Sequence, residues 1–98
     1  MNAEERELDH LRQKIDELDY QIHDLINDRA RISLEISAVK IKHSGPDVTF
    51  YRPEREKVII DAVKAYNRGP LDENAIAYIF EVIIAECRKL QINTYKKK

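Results

Sequence analysis

This sequence predicts an all-α chain, and three observations say so. Apolar residues recur at helical spacing in three separate stretches. Glycine and proline number only two and three among 98 residues. Charged residues make up 36% of the chain, which suits amphipathic helices with wet outer faces. With 43% apolar residues the chain can bury a core, and its length allows one domain, 1–98, rather than several.

The first helix is read over 4–42. From Leu8 the apolar residues fall at Leu11, Ile15, Leu18, Ile22 and Leu25, then at Ile32, Ile36 and Val39, alternately three and four apart. That is a heptad a/d seam, uninterrupted by Pro or Gly. It makes a rod of ~58 Å at 1.5 Å per residue. A compact chain of this size has a radius of gyration of only ~13 Å. The 56 residues after position 42 cannot cover the whole seam. A second copy of the chain is therefore expected to supply the missing surface, in an obligate homodimer.

His43-Ser44-Gly45-Pro46-Asp47 breaks the rod, and Val48 to Tyr51, a short strand without a partner, is read as loop. The second helix is read over 53–67, with Pro53 in its first turn and Val58, Ile59, Ala62, Val63 and Tyr66 on one stripe. Asn67-Arg68-Gly69-Pro70 is its stop signal, with Gly69 expected at a left-handed cap. Asp72 caps a third helix over 73–93, whose stripe runs Ile76, Ile79, Phe80, Ile83, Ile84, Cys87, Leu90, Gln91. The polar tail Thr94–Lys98 is expected to fray.

Composition narrows the function. A single cysteine, Cys87, excludes an intrachain disulfide framework, and the opening Met-Asn-Ala-Glu-Glu-Arg lacks the apolar core of a secretory signal. No apolar run approaches the ~18–20 residues that span a bilayer. A soluble, cytoplasmic protein with no membrane partner is expected. A net charge of −1 carries none of the basic excess of a nucleic-acid binder. Residues 1–28 hold nine acids against three bases, whereas 29–98 hold nine acids against fourteen bases, so an anion prefers the later part of the chain.

Polar side chains at core-facing positions are the useful anomalies, because burying one unpaired costs ~1–3 kcal/mol. Arg29 occupies an a position between Leu25 and Ile32. Lys40 lies eleven residues on, ~20° round the helix and ~16 Å along it, with Ser33 and Ile36 between. Two long cations so placed can straddle a small anion. Cys87 and Gln91 close the third stripe, and Arg52, Arg55 and Glu56 cluster at the head of the second helix, where Arg52 and Glu56 are i,i+4 neighbours. Arg12 lies beside the seam, 28 residues or ~42 Å from Lys40 on the same rod, so the two can share a ligand only from different chains. Each feature also has a plainer reading: an ion pair in the dimer for Arg29, solvated flanking charges for Arg12 and Lys40, a stripe end for Cys87 and Gln91, a helix-start charge cluster for Arg52, Arg55 and Glu56. His10, His23 and His43 lack metal-ligand spacing, and there is no nucleophile motif or glycine-rich phosphate loop.

Taken together, Leu11-Arg12-Gln13-Lys14-Ile15-Asp16-Glu17-Leu18-Asp19, Leu25-Ile26-Asn27-Asp28-Arg29-Ala30, Val39-Lys40, Pro53-Glu54-Arg55-Glu56, Gly69-Pro70-Leu71-Asp72 and Phe80 through Gln91 resemble the all-helical chorismate mutases. The chain is especially similar to the mutase domain that opens bifunctional mutase–prephenate dehydratases. The resemblance implies an intertwined homodimeric helical bundle with three helices per chain, and an isomerase that converts chorismate to prephenate in phenylalanine and tyrosine biosynthesis. That Claisen rearrangement is pericyclic and asks for no cofactor or metal. By position, Arg29 and the other chain's Arg12 would bind the two substrate carboxylates, and Lys40 and Gln91 would donate to the ether oxygen. Glu56 would accept from the ring hydroxyl beside Arg55 and Arg52, Cys87 would stand near a carboxylate, and Ile36 and Ile59 would be apolar walls. Cys87 stands where members often have Ser. Arg52 stands where some have Asp, leaving Glu56 as the sole expected acceptor. Two alternatives stay open: an isochorismate pyruvate lyase of the same fold, and a non-catalytic helical dimerisation module.

Overall fold

A computed structural model of the chain describes residues 2–96, which form three α-helices and no strand: α1 (Ala3–Ser44), α2 (Pro53–Tyr66) and α3 (Glu73–Tyr95). The caps explain where each begins and ends. Asn2 opens α1 by accepting the Glu5 amide proton at 2.8 Å, and Glu4 and Glu5 complement the positive end of the helix dipole. Gly45 closes it at φ 88°, a backbone conformation that side chains disfavour, with its amide donating to Ile41 O at 2.8 Å. α1 thus runs beyond 4–42 at both ends, because its caps lie outside the apolar repeat.

Pro53 occupies the first turn of α2, where its missing N–H costs nothing. The end of α2 corrects the sequence reading. The helix stops at Asn67, whose backbone is extended (φ −60°, ψ 135°), and the left-handed Gly69 (φ 75°) lies two residues further on, in the turn. Arg68 does the capping instead: Nη1 donates to the carbonyls of Ala65, Tyr66 and Asn67 at 3.0, 2.9 and 3.1 Å. Asn67 ties the turn by donating to Leu71 O at 2.8 Å and accepting from the Gly69 amide at 3.2 Å.

Asp72 caps α3 by accepting the Ala75 amide proton at 2.8 Å. The expectation that Thr94–Lys98 frays is overturned for its first three residues. Thr94 and Tyr95 remain helical, Tyr95 Oη donates to Leu34 O at 3.4 Å, and the Lys96 ammonium donates to Pro46 O while lying 5.2 Å over the Phe50 ring. Lys97 and Lys98 lie outside the described residues.

α3 packs against both α1 and α2, which do not pack on each other. Its crossing with α1 is built on small residues. Ser37 is fully buried and Ser33 nearly so, and their hydroxyls donate back to Ser33 O and Arg29 O at 3.0 and 3.1 Å, so close approach leaves no donor unsatisfied. Ile84, Cys87 and Gln91 of α3 are buried in the same region. Only the second half of α1 takes part. Leu8, Leu11, Ile15, Leu18, Ile22 and Leu25 remain 38–67% exposed along a molecule 62 Å long. Its radius of gyration is 18.2 Å against the ~13 Å of a compact chain this size. No helix of the described residues is long and apolar enough to cross a membrane.

Candidate active site

A cavity of about 350 Å³ lies between the second half of α1, the first turns of α2 and the second half of α3, with the α1–α2 loop contributing Phe50 and Arg52. Nine of the ten candidate residues line it: Arg29, Ile36 and Lys40 from α1, Arg52 from the loop, Arg55, Glu56 and Ile59 from α2, Cys87 and Gln91 from α3. Helical phase explains the convergence. Positions 29, 33, 36 and 40 of α1 fall on one face, as do 84, 87, 88 and 91 of α3. Arg12 is the exception. It sits exposed on the first half of α1, far along the rod, and does not line this cavity.

The charge in the cavity is strongly one-sided. Five cations, Arg29, Lys40, Arg52, Arg55 and Arg88, line it together with a single acid, Glu56. Arg29 and Arg55 make no side-chain hydrogen bond or ion pair among the described residues, which leaves two guanidinium forks open to a carboxylate. Gln91, buried, donates one Nε2 hydrogen to Ser33 O at 2.8 Å. The carboxamide is thereby fixed in orientation, and its second N–H is left for a ligand.

Arg52 and Glu56, though i,i+4 neighbours, each pair elsewhere. Arg52 Nε donates to Glu54 Oε1 at 2.9 Å, not to Glu56. Glu54 sits in the first turn of α2, and its carboxyl is held below the ordinary range by a backbone hydrogen bond first, then by the Arg52 bond and the nearby Arg52 and Lys40 charges. Glu56 Oε2 instead accepts from Arg88 Nη1 at 2.5 Å. Ile32, Ser33 and Ile84, which the sequence placed on the seam or stripes but not in the site, line the cavity too, and Arg88 and Phe50 line it without having been picked out at all. Arg88 had a signal, since it lies four residues after Ile84 and three before Gln91, beside the α3 stripe. Phe50 had none, being in a loop without periodicity, yet it is buried and packs edge-on against Tyr95 with ring centroids 6.4 Å apart. Among the described residues no group of three His, Cys, Asp or Glu side chains comes together to hold a metal ion.

The family model for type II chorismate mutases matches residues 11–92. This chain belongs to the type II chorismate mutase family. The matched span holds all ten candidate residues, Arg12 included. Over 91 residues the chain is 38% identical to the bifunctional chorismate mutase/prephenate dehydratase of Stutzerimonas stutzeri, covering 91% of this chain and 25% of that protein. The chain spans about a quarter of the length of such bifunctional relatives. With the chorismate mutase of Methanocaldococcus jannaschii it shares 34% identity over 82 residues, covering 83% of this chain and 80% of that protein. Among solved structures it is similar to the chorismate mutase of Helicobacter pylori crystallised with prephenate, at a TM-score of 0.81 and 27% identity, with 93% of this chain and 96% of that one covered. The mutase-family fold thus extends over nearly the whole chain, and the cation-lined cavity sits within it.

Proposed function

We propose that this chain is a chorismate mutase that rearranges chorismate to prephenate in the cavity between α1, α2 and α3, serving phenylalanine and tyrosine biosynthesis in the cytoplasm. The observation that carries the reading is the convergence of Arg29, Lys40 and Gln91, from two different helices, on one cavity rich in unpaired cations. The substrate is a flexible dicarboxylate. In the rearrangement a carbon–carbon bond forms as an ether C–O bond breaks, so the protein has only to hold the folded conformer and stabilise charge at the ether oxygen. Conformer restraint contributes up to ~7–11 kcal/mol and a preorganised donor at a developing anion ~3–4 kcal/mol.

Roles follow from position. Arg29 takes one carboxylate, and Arg12 of a second copy takes the other, because the two lie too far apart on one rod to meet. Lys40 and the free N–H of Gln91 donate to the ether oxygen. Glu56 accepts from the ring hydroxyl, flanked by Arg52 and Arg55, Cys87 stands near a carboxylate, and Ile36 and Ile59 form apolar walls. The homodimer covers the exposed seam of α1 and brings each Arg12 to its mate's cavity.

The test is consumption of chorismate with appearance of prephenate, run beside isochorismate to detect release of pyruvate. Lys40→Ala is expected to lose ~10²–10³ in kcat with the helical circular dichroism unchanged. Untouched chorismate, pyruvate release from isochorismate as the main activity, or near-normal turnover by the variant would overturn the reading.

A further inference from the structure

The proposed function leaves Arg88 without a role, although its guanidinium lines the cavity. We propose that Arg88 is a positioning residue: it holds one oxygen of the Glu56 carboxylate so that the other is presented to the substrate's ring hydroxyl, and it keeps Glu56 away from the cations that bind substrate. The inference rests on the mutase reading of the cavity.

The geometry distinguishes this pair from the other ion pairs. Lys57 with Asp61, Arg31 with Asp28, Lys89 with Glu86 and Arg52 with Glu54 each join residues no more than four apart, on side chains at least half exposed. Arg88 and Glu56 are 32 residues apart, join α3 to α2, and have side chains only 28% and 27% exposed. The guanidinium is anchored a second time, with its Cζ 4.9 Å from the centroid of the Tyr51 ring. An arginine can satisfy both partners at once, because its N–H edge meets the carboxylate while its flat face meets the ring.

The neighbouring charges give the pairing its purpose. Arg29, Lys40, Arg52 and Arg55 line the same cavity as Glu56. A carboxylate released among them would swing to one of these cations and neutralise a group that the substrate's own carboxylates need. Arg88 reaches Glu56 from α3 and occupies Oε2 alone, which leaves Oε1 as an acceptor and Arg29 and Arg55 without partners among the described residues.

The experiment compares wild type, Arg88→Ala, Arg88→Lys, Glu56→Ala and the double alanine variant in chorismate turnover, with thermal unfolding of each. Arg88→Ala is expected to lose roughly 10–100-fold in kcat/KM, as a misplaced group does. Arg88→Lys, which keeps a charge but neither fork nor flat face, should recover part of the loss, and the double variant should be no slower than Glu56→Ala. Unchanged kinetics in Arg88→Ala, losses that multiply in the double variant, or no recovery in Arg88→Lys would overturn the proposal. If wild type leaves chorismate untouched, it is the mutase reading that fails. The pairing is then tested by the unfolding midpoints: sub-additive shifts in the double variant support a pair that acts as a unit, and additive shifts refute it.

Discussion

Leu18→Asp tests the association on which the proposed active site depends. Six seam residues of α1, Leu8 to Leu25, are between 38% and 67% exposed in the single chain. Full burial of a Leu or Ile side chain stabilises by ~1.5–3 kcal/mol, so covering what is exposed gives about 1 kcal/mol for each. Two chains then gain roughly 10–15 kcal/mol from these positions, against an association cost of ~4–15 kcal/mol. The margin is small enough for one position to matter, and a two-fold dimer carries every substitution twice. Leu18→Asp removes about 2 kcal/mol of apolar burial and adds two carboxylates in an apolar seam, each costing at least ~1–3 kcal/mol if left unpaired. A loss of about 4 kcal/mol, or ~10³-fold in the dimer constant, is the expected minimum. Analytical ultracentrifugation across nanomolar to micromolar protein, with turnover measured on the same samples, reads both consequences. Mixing inactive Arg12→Ala and Arg29→Ala proteins sharpens the test, because one site of each mixed dimer regains both arginines and activity should reappear. A wild-type chain that stays monomeric at micromolar concentration, or a monomeric Leu18→Asp that keeps full kcat, would refute the reasoning.

Gln91→Glu should confine activity to acid pH. A protonated carboxyl can donate and a carboxylate cannot, so turnover should fall as pH rises through the titration of the new side chain, near ~4.3 if unperturbed. It should stay below wild type even in acid, since one O–H must now serve both Ser33 O and the substrate. A flat pH–rate profile would count against the donor role. Ser37→Leu should lower the melting temperature by several degrees, because a larger side chain in the fully buried crossing of α1 and α3 costs ~1–3 kcal/mol and each kcal/mol is worth ~4–8 °C in a domain this small. Ser37→Ala should cost less, since it removes only the bond to Ser33 O; equal losses from both would mean that the crossing is not tightly packed.

How far the sequence could be read depended on what kind of information each feature required. Faces were legible. The heptad count that flagged Arg29, and the phase that joined it to Ile36 and Lys40, need only 3.6 residues per turn, and the structure puts all three on one cavity. Partners were less legible, because periodicity says which way a side chain faces and not what stands opposite. Arg52 and Glu56 had suitable spacing for a pair, yet Glu56 found Arg88 on another helix and Arg52 found Glu54 two residues away. Helix ends failed where a remote or unusual cap intervened. The Arg68 side chain, not Gly69, satisfies the last carbonyls of α2, and the final turn of α3 is held by contacts to Leu34, Pro46 and Phe50, more than forty residues back.

The charge asymmetry along the chain connects the uncovered half of α1 with the cation-lined cavity. Residues 1–28 carry nine acids and three bases, while the cavity lies wholly in the basic remainder and is lined by five cations. A rod meant to deliver one more cation to such a cavity would be repelled if it were itself basic. Here Arg12 travels on an acidic segment, with Asp9, Asp16 and Asp19 within about two turns of it along the helix. In the proposed dimer the acidic half of each rod approaches its mate's basic half with favourable long-range sign, which speeds encounter and fixes which end meets which cavity. The apolar seam then supplies the affinity, and the acids offset the repulsion that the guanidinium groups already there exert on Arg12. In this reading the same 28 residues would serve dimerisation and catalysis together, and a substitution that breaks the seam would empty the site of its second carboxylate anchor.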